Sequence, residues 1–190
     1  MKNIEFYFLR SFEQEIAKEM LYYASRLDEE NKTLKDVPQI AKYVEHYGLY
    51  KSDIGVYALV DNKLAGAAWV RLLTGENNRG FGYVDEETPE LAFGVKPEYR
   101  NQGIGSKILE QLIHEVSISF AQMSLCARED SPAIRLYERF GFEKIEGSQV
   151  SDEKRGLTVF TMLKKLTPPA KETQEEDWYK ATQKWRNDTY

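Results

Sequence analysis

The segment from residue 90 to residue 127 constrains the fold of this chain more than any other. Residues 90–95 alternate as a short strand would, and apolar side chains over residues 104–116 recur at the three- and four-residue spacing of a helix. An apolar run at residues 123–127 predicts a further strand. A strand that feeds a helix and returns to a strand is typical of an α/β domain.

Both kinds of element are predicted again outside this segment. Residues 74–89 are rich in turn-forming residues and predict a long loop, of the kind that often carries function. Ser131 and Pro132 predict the cap and the first position of a helix. The remaining patterns predict strands at residues 4–9, 55–60, 64–73, 142–146 and 157–163, and helices at residues 12–27, after Pro38 and from Pro132 to Phe140.

Two consecutive prolines, Pro168 and Pro169, mark a predicted boundary near the end of the chain. We expect residues 1–166 to form one domain and residues 167–190 to form a charged, helical appendage. Two tryptophans in this appendage are spaced to form one narrow aromatic stripe. The stripe predicts docking on the same domain or on a second copy in a homodimer, and a frayed tail is the alternative.

Composition and charge exclude several classes of partner. The net charge of −5 opposes contact with nucleic-acid phosphates, and no run reaches the roughly 18 apolar residues of a membrane span. The single cysteine, Cys126, has no partner within the chain and predicts an inert, buried thiol in a cytoplasmic protein. His46 and His114 lack a second ligand at metal spacing, so we expect no metal.

Two glycines stand between the strand at residues 90–95 and the helix after it. Gly103 and Gly105 let the backbone turn tightly and present several N–H groups at the positive end of that helix, which suits a pyrophosphate. Arg100 adds a full charge beside them. A helix start that needs glycine for close packing explains the same residues. The loop lacks the Lys-Ser/Thr ending of a P-loop and the third glycine of a dinucleotide fold.

A family resemblance rests on this loop and on a second block. The motif Val95-x-Pro97-x-x-Arg100-x-x-Gly103-x-Gly105 resembles the acyl-CoA pyrophosphate loop of the GNAT acetyltransferase superfamily. Residues 133–142, AIRLYERFGF, are similar to the family's second CoA-contacting helix and the strand after it. The resemblance extends over about residues 3–165. It implies a GNAT-type acyl-CoA N-acyltransferase fold, which is α/β with a mixed central sheet, flanked by helices and splayed at the CoA cleft.

The resemblance also implies contacts with acetyl-CoA. The sheet would open between the strand that ends at Val95 and the strand that ends near Ala127, with the pantetheine arm between them. Many family members carry an asparagine just before the second helix, where this chain has Asp130 and Ser131, and the spacing leaves open which of the two replaces it. The implied cofactor-binding residues are Phe93, Val95, Arg100, Asn101, Gln102, Gly103, Ile104, Gly105, Ser106, Asp130 and Ser131.

Two residues are candidates for proton transfer. Deprotonating an amine of pKa ~10.4 at pH 7 costs roughly 4.6 kcal/mol, so a base is useful. Glu90 resembles the glutamate that acts as base in several family members, and a solvent-exposed carboxylate at a strand start is the alternative. Tyr137 resembles the family's tyrosine that protonates the departing thiolate, and a core aromatic is the alternative.

Three functions stay open on this evidence. The first is acetyl transfer from acetyl-CoA to the amine of a small molecule within one ternary complex. The second is acetylation of a protein or peptide, which would need an open groove beside residues 74–89. The third is an acyl-CoA-binding regulatory module without turnover. Four polar residues of the loop either line a pocket for a cationic amine or face solvent, namely Tyr83, Asp85, Glu86 and Glu87.

Overall fold

The computed structural model describes residues 3–152 and 156–169, so the predicted appendage lies almost entirely outside the described residues. Its strands are β1 (Ile4–Phe8), β2 (Ile54–Val60), β3 (Lys63–Arg71), β4 (Glu90–Val95), β5 (Gln122–Arg128), β6 (Glu143–Lys144), β7 (Val150–Asp152) and β8 (Leu157–Lys165). Its α-helices are α1 (Gln14–Ala24), α2 (Leu27–Glu30), α3 (Ile104–Ser117) and α4 (Ile134–Arg139). Short 3₁₀ helices cover Ser11–Glu13, Leu34–Asp36, Pro38–Tyr43 and Pro97–Tyr99.

The described strands form one mixed sheet of eight strands in the order β1-β2-β3-β4-β5-β8-β6, with β7 also paired to β8. All neighbours are antiparallel except β4 and β5, which run parallel. Helix α3 packs on one face, and α1 packs on the other face with the 3₁₀ segment Pro38–Tyr43. The predicted α/β architecture with a mixed, helix-flanked sheet is therefore confirmed.

Strand β4 contributes to the apolar cores on both faces of the sheet. Leu91 packs in the core that contains α3, with Phe93 and Val95 beside it, whereas Ala92 packs in the core that contains α1. This separation follows from the two-residue period of a strand, and it confirms the predicted alternation. Glu90 stands two residues before Ala92, so its side chain lies on the same face of the sheet, the face that packs on α1.

The sheet opens between β4 and β5. Cα pairing between these parallel strands is confined to Glu90 with Ser124 and Leu91 with Leu125. Beyond Leu91 the two strands separate, so the backbone groups of β4 that face this gap have no β5 partner. The predicted splay is present at the predicted position, and the gap can receive an extended ligand with amide groups of its own.

Three predicted helices differ from the observed ones. The apolar periodicity over residues 12–27 is interrupted because Arg26 takes a left-handed conformation with φ 54°, and Phe12 is 76% exposed. The helix predicted after Pro38 is a 3₁₀ helix. Helix α4 begins at Ile134 and not at Pro132, because a turn precedes it in which the Ala133 N–H donates to Ser131 Oγ at 3.3 Å.

The predicted strands agree with the observed strands more closely than the predicted helices agree with the observed helices. The predicted bounds of β4 match the observed strand, whereas the strand predicted at residues 142–146 is reduced to Glu143–Lys144. Strand β7 was missed, since Val150–Asp152 has too few residues to show a period.

Helix α1 approaches β4 closely at Gly94, where a Cβ atom would stand 2.4 Å from the Met20 carbonyl oxygen and 3.0 Å from the Ala24 nitrogen. Because both contacts are backbone atoms, Gly94→Ala is expected to destabilise the fold by about 1–3 kcal/mol. Urea unfolding of the variant and the wild type measures this difference. An unchanged unfolding midpoint would show that α1 lies further from the sheet.

Candidate active site

Two cavities meet where the sheet opens. The first, of about 630 Å³, lies over β4 and β5 and has Glu90 in its wall. The second, of about 530 Å³, lies against the loop at residues 99–106 and the start of α4. Both cavities are lined by Ala24, Arg26, Phe93, Ser131 and Tyr137. We call the first the acceptor cavity and the second the cofactor cavity.

The start of α3 provides the anion-binding groups of the cofactor cavity. Gly103 has φ 77° and caps the helix, and Asn101 is also left-handed with φ 59°. The Lys107 N–H donates to the Gly103 carbonyl at 3.3 Å, so the N–H groups of residues 104–106 precede the first bond of the helix. A concave set of N–H groups at a helix N-terminus suits a phosphate.

The two glycines of this loop are needed for different reasons. A side chain at Gly103 would meet nothing within 4 Å, but the left-handed backbone there favours glycine. A Cβ at Gly105 would stand 3.0 Å from Phe93 Cζ and 3.4 Å from Val95 Cγ2. Gly103 therefore supports the turn, and Gly105 supports the close approach of α3 to β4.

Eight of the eleven predicted cofactor residues line the cofactor cavity: Phe93, Val95, Arg100, Asn101, Gly103, Gly105, Ser106 and Ser131. The side chains of the other three point elsewhere. The Gln102 amide donates to the Glu98 carbonyl at 2.6 Å, and the Ile104 side chain is buried in the core. Asp130 accepts from Arg128 at 2.8 and 2.9 Å. Of the two candidates before α4, Ser131 rather than Asp130 faces the cleft.

Arg100 is tied to the protein in this structure. Its guanidinium donates to the Val95 carbonyl at 3.0 Å, to Asp28 at 3.0 Å and to Glu29 at 3.4 Å. It therefore neutralises two carboxylates at the cofactor cavity. Sequence reasoning missed another cation there, Arg139, which lines the cavity and donates to Ser106 Oγ at 2.9 Å.

Arg100→Ala is expected to raise the Kd for acetyl-CoA by roughly tenfold to a hundredfold, because it removes a cation beside the phosphates and leaves the Asp28 and Glu29 charges unbalanced. Calorimetric titration with acetyl-CoA measures the change. Arg135→Ala is the matched control, since Arg135 is an exposed arginine of α4 that does not line the cavity. Equal Kd values for acetyl-CoA in the two variants would show that Arg100 does not contribute to the cofactor site.

Glu90 is 3% exposed and is not a solvent-facing carboxylate. Its Oε1 accepts hydrogen bonds from the Tyr43 hydroxyl and from the Gly82 N–H at 2.7 Å. Its Oε2 is buried and has no hydrogen-bond partner among the described residues. Burial raises the pKa of Glu90 to about 7, and the hydrogen bonds from Tyr43 and Gly82 oppose that rise.

The backbone of residues 80–82 closes over Glu90. The Phe81 N–H donates to the Tyr43 hydroxyl at 2.9 Å, and a Cβ at Gly80 would stand 1.8 Å from Glu90 Oε2. A Cβ at Gly82 would stand 2.6 Å from the Leu125 carbonyl carbon, so the loop also packs on β5. Glycine is required at both positions because no side chain fits between the loop and the sheet.

The four polar loop residues predicted as pocket candidates do not line the acceptor cavity. Instead they bond mainly within their own segment, and Asp85 also accepts from the Gln122 amide of β5 at 3.1 Å. The Tyr83 hydroxyl donates to Glu86 at 2.8 Å, and Asp85 accepts from the Glu87 N–H at 2.9 Å. Phe81 is the loop side chain that lines the cavity, and its ring stacks on Tyr43 at 6.4 Å between centroids.

Tyr137 lies at the junction of the two cavities, half-buried on α4. Its ring contacts Phe93 edge to face at 6.3 Å and Phe142 at 5.8 Å. Burial raises the pKa of Tyr137 above its usual value of 10.0. Proton transfer to a thiolate is therefore more strongly uphill than for an ordinary phenol, unless the thiolate basicity rises in the same dry site.

Cys126 lines the acceptor cavity, and burial raises the pKa of its thiol to about 12. The neutral thiol is a poor nucleophile at pH 7. Among the described residues, no group of three or more His, Cys, Asp or Glu side chains is arranged to hold a metal ion. Within the same ranges, no helix combines the length and the apolar character that crossing a membrane requires.

Comparison with known proteins agrees with the motif. The family model described as an acetyltransferase (GNAT) domain matches residues 51–144, and no curated protein matches the chain. The ribosomal-protein-S18-alanine N-acetyltransferase of Escherichia coli is 17% identical, with a TM-score of 0.61 over 89% of this chain and 97% of that chain.

Two further solved structures share the fold. The yncA protein of Salmonella typhimurium, solved with its cofactor acetyl-CoA, is 18% identical with a TM-score of 0.63, over 88% of this chain and 96% of that chain. The GNAT-family acetyltransferase of Streptococcus pneumoniae is 16% identical with a TM-score of 0.62, over 86% and 99%. The loop motif, the splayed sheet and the family model agree, and the chain belongs to the GNAT acetyltransferase superfamily.

Proposed function

We propose that this protein is an acetyl-CoA-dependent N-acetyltransferase that acetylates the amine of a small molecule in a single ternary complex. The observation that carries the proposal is the position of Glu90. It is a buried carboxylate in the wall of the acceptor cavity, at the last paired residues before β4 and β5 separate. The acceptor cavity meets the cofactor cavity at this opening, so an amine and a thioester can approach each other there.

The cofactor cavity fits the parts of acetyl-CoA. The N–H groups at the start of α3 suit the pyrophosphate, and the edge of β4 beyond Leu91, which has no β5 partner, suits the amides of the pantetheine arm. When bound, acetyl-CoA supplies an activated acetyl thioester. The side chains of Phe93 and Tyr137 line both cavities and exclude water from the place where the two reactants meet.

Glu90 is assigned as the group that holds the proton released by the amine. A general base works best when its pKa is near the working pH, and the pKa of Glu90 is raised to about 7. The base is the carboxylate, so activity should rise with pH through about 7. Tyr137 is assigned as the donor to the departing sulfur, because it lines both cavities where they meet.

Two observations favour a small acceptor and a direct transfer. The backbone of residues 80–82 packs on β5 and covers Glu90, where a peptide acceptor would need an open groove. The raised pKa of Cys126 disfavours a covalent acetyl-enzyme. A cytoplasmic location remains the expectation drawn from the single cysteine.

The experiment that tests the proposal measures release of free CoA thiol from acetyl-CoA by the full chain in the presence of amines. Appearance of the N-acetylated amine in equal amount would establish the activity. Tight acetyl-CoA binding with no turnover of amines or peptides would favour the regulatory module instead.

Tyr43→Phe is expected to move the rising limb of the kcat/KM pH profile to higher pH by about one unit, because it removes a hydrogen bond that lowers the pKa of Glu90. Activity at pH 7 should fall about fivefold, because the ionised fraction of Glu90 falls, and should recover at higher pH. Tyr47→Phe is the matched control, since its buried hydroxyl donates to the Leu9 carbonyl at 3.2 Å and not to Glu90. A lower kcat/KM at every pH, without a shift of the rising limb, would show that Tyr43 contributes only packing.

A further inference from the structure

Most residues that line the acceptor cavity are apolar, and Glu90 is the one carboxylate among the described lining residues. Leu21 comes from α1, Ile40 from the 3₁₀ segment before Tyr43, Phe81 from the covering loop, Leu125 from β5, and Leu157 and Val159 from β8. Five separate elements therefore present hydrocarbon to the same space. A ligand that fills it gains most if the part beyond its amine is apolar too, at roughly 25 cal/mol per Å² removed from water.

The two arginines that line the acceptor cavity are already paired with carboxylates. Arg26 is bound to Glu29 and, at 3.3 Å, to Asp130. Arg128 is bound to Glu30 and to Asp130, both at 2.8 Å. A ligand carboxylate would have to compete with these carboxylates for the two guanidinium groups, which weakens its gain from binding.

A second cation on the ligand would also lack a partner. Among the described residues that line the cavity, Glu90 is the one acid. Burying an unpaired ammonium costs several kcal/mol, which disfavours diamines and polyamines. The apolar walls also lower the pKa of a single bound ammonium, and this brings the acceptor closer to the neutral, nucleophilic form.

The volume and shape of the cavity set the size of the ligand. At about 630 Å³ it falls within the range of small-molecule sites. Phe81 is 49% exposed and stacks on Tyr43, so it offers a free aromatic edge to a bound ring. The space accommodates a ring with a short alkylamine arm.

We propose that the acceptor is a primary amine with an apolar, ring-sized body and no second charged group. This inference rests on the proposed function for its chemistry and goes beyond it in naming the substrate class. It separates arylalkylamines and alkylamines from polyamines, amino acids and aminoglycosides.

The test uses two matched pairs of amines with the full chain and acetyl-CoA. Phenylethylamine is compared with phenylalanine, which adds a carboxylate to the same body. Hexylamine is compared with its terminal diamine, which adds a second cation. Phenylethylamine and hexylamine should each have a kcat/KM at least about tenfold higher than the second amine of the pair. The second amine has to bury an additional, unpaired charge. Equal or reversed preference in either pair, with good turnover, would overturn the substrate class and leave the acetyltransferase proposal standing.

Calorimetric binding of the same four amines in the presence of CoA tests the class independently of turnover. Preferred binding of the apolar members supports the inference even when no acetylation occurs, and in that case only the proposed reaction fails. Preferred binding of phenylalanine or the diamine overturns the inference.

A charge introduced into the wall sharpens the test. Leu157→Asp adds a second carboxylate to the cavity, and it should raise the ratio of diamine to hexylamine turnover by about tenfold or more. Leu64→Asp is the matched control, because Leu64 is also half-buried and near a strand start but lies outside the cavity. A similar change in both variants would show that the ratio does not depend on the charge of the cavity wall.

Discussion

Glu90→Gln is expected to lower kcat/KM for the acceptor amine by about 10²–10⁴-fold at pH 8, with the Kd for acetyl-CoA unchanged. The amide keeps the shape of the side chain and can still accept from Tyr43 and Gly82. It cannot take the amine proton. Thiol release measured against amine concentration, with calorimetric titration of acetyl-CoA, separates the two effects.

The control for this variant is Glu86→Gln, which removes a carboxylate that is 52% exposed and lies on the loop before β4. Its kcat/KM should stay within a few-fold of the wild-type value. A comparable loss in both variants would mean that the charge of the loop, and not a base at residue 90, supports the reaction.

The stability of the same variant gives a second readout. Burial raises the pKa of Glu90 from 4.5 in the unfolded chain to about 7 in the folded one. The folded protein therefore binds the proton more tightly, and its stability falls as pH rises from below 4.5 to above 7. Relative to Glu90→Gln, the wild type should lose roughly 3 kcal/mol of unfolding free energy across this window. A difference independent of pH would show that the pKa of Glu90 is not raised.

Tyr137→Phe is expected to lower kcat by about 10²-fold while leaving the Kd for acetyl-CoA nearly unchanged. The phenyl ring keeps the edge-to-face contacts with Phe93 and Phe142, so the variant removes only the hydroxyl that is proposed to protonate the departing sulfur. Single-turnover thiol release measures the chemical step directly.

Tyr57→Phe serves as the control, because its hydroxyl donates to Glu13 at 2.7 Å and Tyr57 lines neither cavity. If Tyr137→Phe keeps the wild-type kcat, Tyr137 contributes packing and does not donate the proton. The raised pKa of Tyr137 makes this experiment informative, since a phenol that is hard to ionise keeps its proton at the working pH but surrenders it reluctantly.

Elements with a strong local period were predictable from the sequence. Most apolar positions of α3 that recur at helical spacing are buried, including Ile104, Ile108, Leu112 and Val116, and Ile113 is half-buried. The break at Arg26 was not predictable, because that arginine bonds Asp130, which lies far along the chain. A sequence period describes neighbours within an element and carries no information about such long-range partners.

The cofactor loop was predictable for a similar reason. The conformation of Gly103 is a local requirement, and local requirements select glycine visibly. The hydrogen-bond partners of Glu90 were not predictable from the sequence. Tyr43 fits an apolar helix face as well as it fits a hydrogen-bond partner, and the Gly82 N–H that completes the pair leaves no side-chain signature.

The choice between Asp130 and Ser131 also required the structure. Both residues stand at the position where the family often has asparagine, and their spacing from α4 is nearly the same. The arginines at residues 26 and 128 hold Asp130 at the surface, which leaves Ser131 facing the cleft. Charge pairing between separate elements therefore determines which of the two side chains lines the cavity.

The most direct test of the central claim is a stoichiometric assay of the full chain with acetyl-CoA and phenylethylamine across pH 6 to 9. The proposed reaction predicts one N-acetylated amine for each CoA thiol released, with kcat/KM rising through about pH 7 in the wild type and nearly flat and low in Glu90→Gln. Turnover that shows no rise near pH 7 and survives in Glu90→Gln would contradict it.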